Sequence, residues 1–464
     1  MAQSAEQDQE DKAPPRRRPM SRLAVVICTL CWSVLLCFGL LVAIMQDRML
    51  PVPEPLREKL TQVLNADRTL PIVRFSRAEL GLTELFHPQL VLHGVQFSDG
   101  QTGAGVQFGA LDVVIHGPAL LFGQIAPRSL TLSDAFVDLR RRLDGSFDLG
   151  FVISANSTGV GSLDEILDAT EDFFDREDFR HLTEARLDQL TVSYTDRVTK
   201  RAWTFDGGRL SARRANGLMT LRGDLALLAG GGELATLGLF YKATGAGVGT
   251  LGAEFDNLPA QDLAVQSKAL TWLNFVDGSL SGSFRSLRAA GKVGKLNALL
   301  DFGAGELSAG PESNPVSYSE AKTYFTYDPK RARLDISRAS IKSDWGAIAA
   351  EGYALLQLGG SSQRSSSGMV LHLDVDRADF DKTPWWSEPL RATAATGQVK
   401  LNYDPLTLDL GLLQAKVNGT DLSLSGHAVL TPLGWSYDGQ GRVPSVDSQT
   451  VMSLWPEMLK SKSR

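Results

Sequence analysis

The chain has 464 residues, 47 Lys and Arg against 53 Asp and Glu, and is 43% hydrophobic. That balance excludes a disordered chain, and 44 Gly without a period of three exclude a collagen-like one. A net charge of -6 argues against nucleic-acid binding, since the one dense basic run, Arg16, Arg17, Arg18 and Arg22, adjoins a different feature.

That feature is Leu23 to Met45, 23 residues without a charged side chain. As a helix it would be about 35 Å long against about 30 Å of bilayer hydrocarbon, which predicts a transmembrane helix over 23–45. A cleaved signal peptide would end in a small-x-small site, whereas the exit reads Val42-Ala43-Ile44-Met45-Gln46-Asp47. Four Arg precede the span and Arg48 alone follows it closely, so residues 1–22 are expected in the cytoplasm and the bulk outside it. Without the first 45 residues the chain keeps 42 basic and 49 acidic side chains, a formal -7 with no nucleic-acid footprint. Cys28, Cys31 and Cys37 all lie in the span, so no disulfide is expected beyond it, and the CxxC pair there reads as packing.

Pro51, Pro53 and Pro55 make a stiff exit, and Leu56, Leu60, Val63 and Leu64 recur at helical spacing, which predicts a short amphipathic helix near the membrane. From Pro71 to about Ile153 the period becomes two, as at Leu111, Val113 and Ile115, with a turn at Asp144-Gly145, and antiparallel strands are expected. Ser162 then caps a second helix, with Asp164 and Glu165 in its first turn and Leu163, Ile166, Leu167, Phe173 and Phe174 on one stripe. Its other face holds Asp168, Glu171, Asp172, Asp175, Glu177 and Asp178; the spacing is not that of a calcium loop, so a solvated face is expected.

Strands resume from Leu187 to Val443. Met369, Leu371, Leu373 and Val375 alternate with polar residues or Val370, as do Val399, Leu401 and Tyr403, then Leu406, Leu408, Leu410 and Leu412, then Leu422 and Leu424. Weak repeats support units added in series: strands that end in Gly and resume at Gly223, Gly352 and Gly426, and apolar-Asp pairs leading to Trp272, to Trp385 and Trp386, and to Trp455. One helical excursion, near Pro259 to Trp272, interrupts this stretch. A sheet with one apolar face must bury it, either by closing as a sandwich or barrel or by curling into a trough whose floor a ligand covers, and periodicity does not separate these.

Chemistry-bearing patterns are absent. His87, His93, His116, His181, His372 and His427 lack metal-ligand spacing and read as structural or surface residues, so neither metal nor cofactor is expected. Gly291-Lys292 and Gly294-Lys295 are not followed by Ser or Thr, and there is no GxSxG elbow. Gly247, Gly249 and Gly252 fit GxGxxG, but no dinucleotide-binding helix follows, so a turn is expected. Trp385-Trp386 reads as a packing corner, with a ligand or membrane-surface anchor as the alternative.

The anchor, Pro55-Leu-Arg-Glu-Lys-Leu60, Pro88-Gln-Leu-Val-Leu-His-Gly-Val-Gln-Phe-Ser-Asp99, Leu121-Phe-Gly-Gln-Ile125 and Leu130-Thr-Leu-Ser-Asp-Ala-Phe-Val-Asp-Leu139 together resemble the opening of AsmA-like envelope proteins. The later units and Val451-Met-Ser-Leu-Trp-Pro-Glu457 are most similar to the YhdP branch, whose members continue past such a segment, so the chain reads as a truncated or fragmentary member. The resemblance implies a mainly β protein: an inner-membrane anchor and a periplasmic, curled antiparallel β-groove that moves phospholipid toward the outer membrane. It favours the trough over the sandwich and supplies no catalytic residue, so no enzyme is expected. The expected partners are phospholipid, the inner membrane and other envelope proteins. The expected regions are a tail (1–22), the span (23–45), a membrane-proximal β region with amphipathic helices (46–185) and a repeated β-groove (186–464) continuing in a longer parent. Leu371, Leu373, Leu401, Leu408, Leu410, Leu412, Leu422 and Leu424 are the candidate lipid-binding residues. The alternative function is a structural or interaction protein of the envelope with an internally closed sandwich and no lipid cargo.

Overall fold

The computed structural model describes residues 22–45, 48–65, 72–83, 87–98, 105–143, 147–149, 163–197, 201–228, 234–245, 247–264, 268–308, 314–357, 368–381, 386, 388–403, 405–431 and 434–444. Helix α1 (Arg22–Met45) is uninterrupted. Its side chains are described at 26–37, 39 and 40; among the described residues no helix is long and apolar enough to cross a membrane. Strand β1 (Leu50–Pro51) leads into α2 (Glu54–Leu64), where Pro55 occupies a first-turn position that needs no N–H. Asn65 ends α2: its amide donates to the carbonyls of Thr61 (2.8 Å) and Val73 (3.0 Å), and its oxygen accepts from the Val73 N–H (2.7 Å). These bonds tie the helix to β2 (Ile72–Arg74); of the expected apolar stripe Leu60 and Leu64 turn inward, while Leu56 and Val63 are exposed.

The fold is mainly β, and the 23 described strands form one sheet. β3 (Arg77–Leu82), β4 (Pro88–Ser98), β5 (Gly105–Ile115) and β6 (Pro127–Ser133) pair in sequence, with α3 (Gly117–Leu121) between the last two. β7 (Phe136–Arg141) continues the line of β6 and carries the short β8 (Phe147–Leu149) on its edge. The chain returns through α4 (Leu163–Asp175) to β9 (Glu184–Asp196). β6 and β7 both lie parallel to β9. This departs from the expected all-antiparallel run, because a parallel pair needs a long crossover and α4 lies on one here. The sheet thus runs unbroken across residues 185 and 186.

From β9 onward every strand pairs antiparallel with the next. These are β10 (Arg201–Ala215), β11 (Leu218–Leu228), β12 (Leu234–Gly245), β13 (Val248–Pro259), β14 (Val276–Ala289), β15 (Lys292–Leu307) and β16 (Val316–Asp328). β17 (Arg333–Ser343), β18 (Gly346–Gln357), β19 (Gly368–Phe380), β20 (Leu390–Tyr403), β21 (Leu406–Val417), β22 (Thr420–Thr431) and β23 (Gly434–Arg442) complete the meander. Tight turns make it possible: Asn216-Gly217 and Asn418-Gly419 both have positive φ, as a two-residue hairpin turn of the primed kind requires. The GxGxxG match lies in one of these hairpins, with Gly247 in the turn and Gly249 and Gly252 within β13. Between β13 and β14 stand α5 (Ala260–Ala264) and a 3-10 segment, Lys268–Phe275, where the sequence placed its helical excursion.

Register slips by a residue in most of the meander's ladders, for example between Asp206 and Arg209, between Phe255 and Leu258, and between Leu410 and Leu413. Bulges of this kind bend the strands that carry them. The bend is visible in Phe275, which precedes β14 yet lies 5.9 Å, ring to ring, from Tyr403 of β20. Six strand spacings in a flat sheet would separate them by about 29 Å.

The apolar face is buried in separate stretches. Leu60 and Leu64 of α2 pack on Leu92, Val95, Phe108 and Leu190. Leu167 and Phe174 of α4 pack on Met219, Tyr241 and Ala243. Leu273 of the excursion joins Leu280 and Leu300, all fully buried, and the Trp272 ring lies 6.1 Å from that of Phe302, tilted by 54°. Trp386 packs on the group around Leu390 and Val417, as a packing corner would; Trp385 and Trp455 lie outside the described residues.

The acidic face of α4 is not wholly solvated. Asp168 and Glu171, with Asp164, surround the buried Arg288 of β14, and Asp175 pairs with Arg214 at 2.6 Å. Asp172, Glu177 and Asp178 remain exposed.

Candidate functional site

Because paired residues in a ladder share a face, the register traces lines of side chains across the strands. One line runs Leu221, Tyr241, Leu251, Ser286, Leu296, Tyr327, Leu334, Ala354, Leu371, Val399, Leu410, Gly426 and Gly439. A second runs beside it through Gly223, Leu239, Ala253, Phe284, Ala298, Phe325, Ile336, Gly352, Leu373 and Gly397. A third, near the end of the meander, joins Leu356, Met369, Leu401, Leu408, Ala428 and Tyr437. None contains a charged residue. Twelve steps at about 4.8 Å make the first line about 58 Å long.

The glycines in these lines revise a reading of the sequence. Gly223, Gly352 and Gly426 do not end strands; each sits inside one, on the apolar face. A Cβ at Gly352, whose φ is +147°, would stand 2.0 Å from the His372 carbonyl oxygen. The recurring glycine therefore thins the apolar face where neighbouring strands approach closely.

Seven of the eight candidate leucines share this face. Leu371, Leu373, Leu401, Leu408 and Leu410 belong to the three lines, and Leu422 and Leu424 stand opposite Ala415 and Leu413. Leu412 does not join them. The bulge between Leu410 and Leu413 turns it outward, 60% exposed, and Leu413 takes its place against Leu424. Strict alternation carried through Leu406, Leu408, Leu410 and Leu412 has no means of registering one extra residue.

Burial along the face is uneven. Leu280, Leu300 and Ala354 are sealed beneath the excursion and its neighbours, and Leu371 packs at the margin of that group. Burial also pushes the Tyr403 hydroxyl up to about 12. Leu373, Val399, Leu401, Leu408, Leu410, Leu422 and Leu424 are half-buried, and Leu239 is exposed. This stretch is apolar, reachable by solvent and free of catalytic groupings. It is suited to holding an elongated apolar molecule.

A second grouping was invisible in the sequence. His87, His116 and His181, read there as scattered, come together: His87 and His116 rings are 6.2 Å apart and His116 and His181 4.6 Å apart. The Gly117 N–H donates to His87 Nδ1 (3.0 Å), and the Ala119 N–H donates to His116 Nδ1 (3.2 Å), which caps α3. Arg128 contacts His87, and Arg180 contacts His181. His87 and His116 both fall in the stretch where strands are expected, but nothing in the sequence marks them as neighbours. Among the described residues no group of three or more His, Cys, Asp or Glu is placed to hold a metal ion.

Both capping histidines are held below the ordinary 6.5, His87 by burial and Arg128, His116 by burial, His181, His87 and Arg128. Their neutral form is thus the folded form, so the stability they contribute is present above 6.5 and is lost as pH falls below it. Hydrogen exchange of residues 116–126 should be faster at pH 5 than at pH 7.5 after correction for intrinsic rates. Equal protection would show that the cluster does not govern this loop.

Compared with protein-family models, with curated proteins and with solved structures, the chain matches none.

Proposed function

We propose that the chain is a membrane-anchored lipid conduit of the AsmA-like kind, nearest the YhdP branch. In this reading α1 crosses the inner membrane once, with residues 1–22 in the cytoplasm and the sheet in the periplasm. The sheet is an open groove that carries phospholipid toward the outer membrane and has no enzymatic role. The observation that carries it is the unbroken run of apolar and small residues across the meander, half-exposed toward its end. A 16-carbon acyl chain entering water costs about 12 kcal/mol, and a continuous apolar path removes most of that cost without specific chemistry. The uncharged length of 23–45 and the arginines before it support the anchor.

The second reading, an envelope interaction protein whose apolar face closes internally, draws support from the excursion at 260–275, which already covers part of the face. A photocrosslinking amino acid in place of Leu410 separates them. In cells labelled with radioactive phosphate, the full chain should acquire label at this position and not at Gln414, which is exposed in the same strand. Equal labelling at both, or none, rejects the conduit.

A further inference from the structure

Phe122, 84% exposed, is the most exposed large apolar side chain among the described residues, and in the same loop Ile125 is 73% and Leu120 38% exposed. They are not the fringe of a loose loop. The Phe122 N–H donates to the Ala119 carbonyl (3.0 Å), the Gly123 N–H to that of Leu120 (2.9 Å) and the Gln124 N–H to that of Ala119 (3.0 Å), with Gly123 at φ +74° closing the helix end. The His116 N–H donates to the Ala126 carbonyl (2.8 Å) across the base, and Arg180 donates to the Gln124 side chain (2.7 Å). The chain is thus held in a shape that points its largest apolar groups away from its own core, which a soluble surface does not require.

Position identifies what they meet. Leaving α1, the chain passes Arg48 and Met49, whose backbone and side chain lie against Gly81 of β3. Leu50 then pairs with Leu80, both exposed, at the same end of the sheet. From there Leu82 pairs with Pro88, Gln89 with Val114, and Val114 with Ser129, so the loop lies two to three strands from the helix exit. At strand spacing that is about 10 to 14 Å. Arg128 and Arg180 flank the loop at its base, the charge that phosphate headgroups attract, with Glu177 and Asp178 beyond them.

We infer that residues 120–125 sit in the interface of the bilayer that α1 crosses, as a second, rigid contact beside the anchor. This rests on the spanning role of α1. A single helix would leave the sheet free to swing about the link between α1 and β1. Two contacts some strands apart hold it at one attitude, with the first strands of the sheet against the membrane, where lipid would be received.

The test uses the full chain reconstituted into phosphatidylethanolamine and phosphatidylglycerol vesicles, with Cys28, Cys31 and Cys37 replaced by Ser. An environment-sensitive nitrobenzoxadiazole label is placed through Phe122→Cys, through Ile125→Cys or, as control, through Leu143→Cys, which is 79% exposed beyond β7. The label at 122 and 125 should be blue-shifted and quenched severalfold more than at 143 by lipids spin-labelled near the headgroup. Equal, weak quenching at all three sites in protein that stays with vesicles through alkaline carbonate overturns the contact while leaving the anchor standing. Strong quenching at 122 in protein that carbonate removes supports the contact and overturns the anchor.

Discussion

Leu300→Asp should unfold the protein, whereas Leu408→Asp should leave it folded and empty. Leu300 is fully buried, facing Gly282 and Thr323 in the ladder and lying in the core that the excursion seals. An unpaired carboxylate there costs several kcal/mol, a large part of a total stability of about 5 to 15 kcal/mol. Leu408 is half-buried between Leu401 and Ala428, so water reaches the new carboxylate and the loss is about 1 to 2 kcal/mol of apolar contact. Thermal melts and phospholipid phosphorus on the purified chain measure the two effects. A folded Leu408→Asp protein with undiminished lipid defeats the conduit reading for this face. An unfolded one supports the internally closed alternative.

The ion cluster under α4 should respond asymmetrically to removal of its two sides. Arg288 is fully buried and contacts Asp168 at 2.5 Å, Asp164 and Glu171 at 3.5 Å, and the Tyr241 hydroxyl, which itself donates to Glu171 at 2.9 Å. Burial alone would lower its pKa, but hydrogen bonds to Tyr241 and Asp168 outweigh that and hold it above the usual arginine range. The guanidinium therefore cannot shed its charge. Neutralising all three partners, Asp164→Asn with Asp168→Asn and Glu171→Gln, strands that charge inside the protein, at a cost of about 3 to 5 kcal/mol. Arg288→Met strands carboxylates that water already reaches, so a smaller loss, about 1 to 3 kcal/mol, is expected. In both, hydrogen exchange across 163–175 should accelerate before the meander does, because Leu167 and Phe174 hold α4 to the sheet. The reverse order of the two losses would mean that Arg288 acts through packing and not through its charge.

Local chemistry in the sequence was enough for most of the elements, though not for α3 at 117–121. Period two marked the strands, helical spacing marked 56–64 and 163–174, the Pro259 to Trp272 stretch marked the excursion, and the uncharged run marked α1. It also determined that the sheet has one apolar face, since alternation is a property of neighbours along the chain. Tertiary structure decided everything that depends on pairing. A bulge is one residue gained against a partner strand, so the turning out of Leu412 was hidden in a pattern that reads Leu at every second position. The glycines at 223, 352 and 426 read as strand ends until the register placed them inside strands, facing large side chains. Arg288 stands 120 residues from Asp168, and His181 stands 65 from His116; only the curl of the sheet and the crossover through α4 bring such groups within reach. The cover that 260–275 lays over the face, reaching Tyr403 from the far side of six strands, was likewise outside the sequence's reach, because it follows from how far the bulges bend the sheet and periodicity carries no measure of that angle.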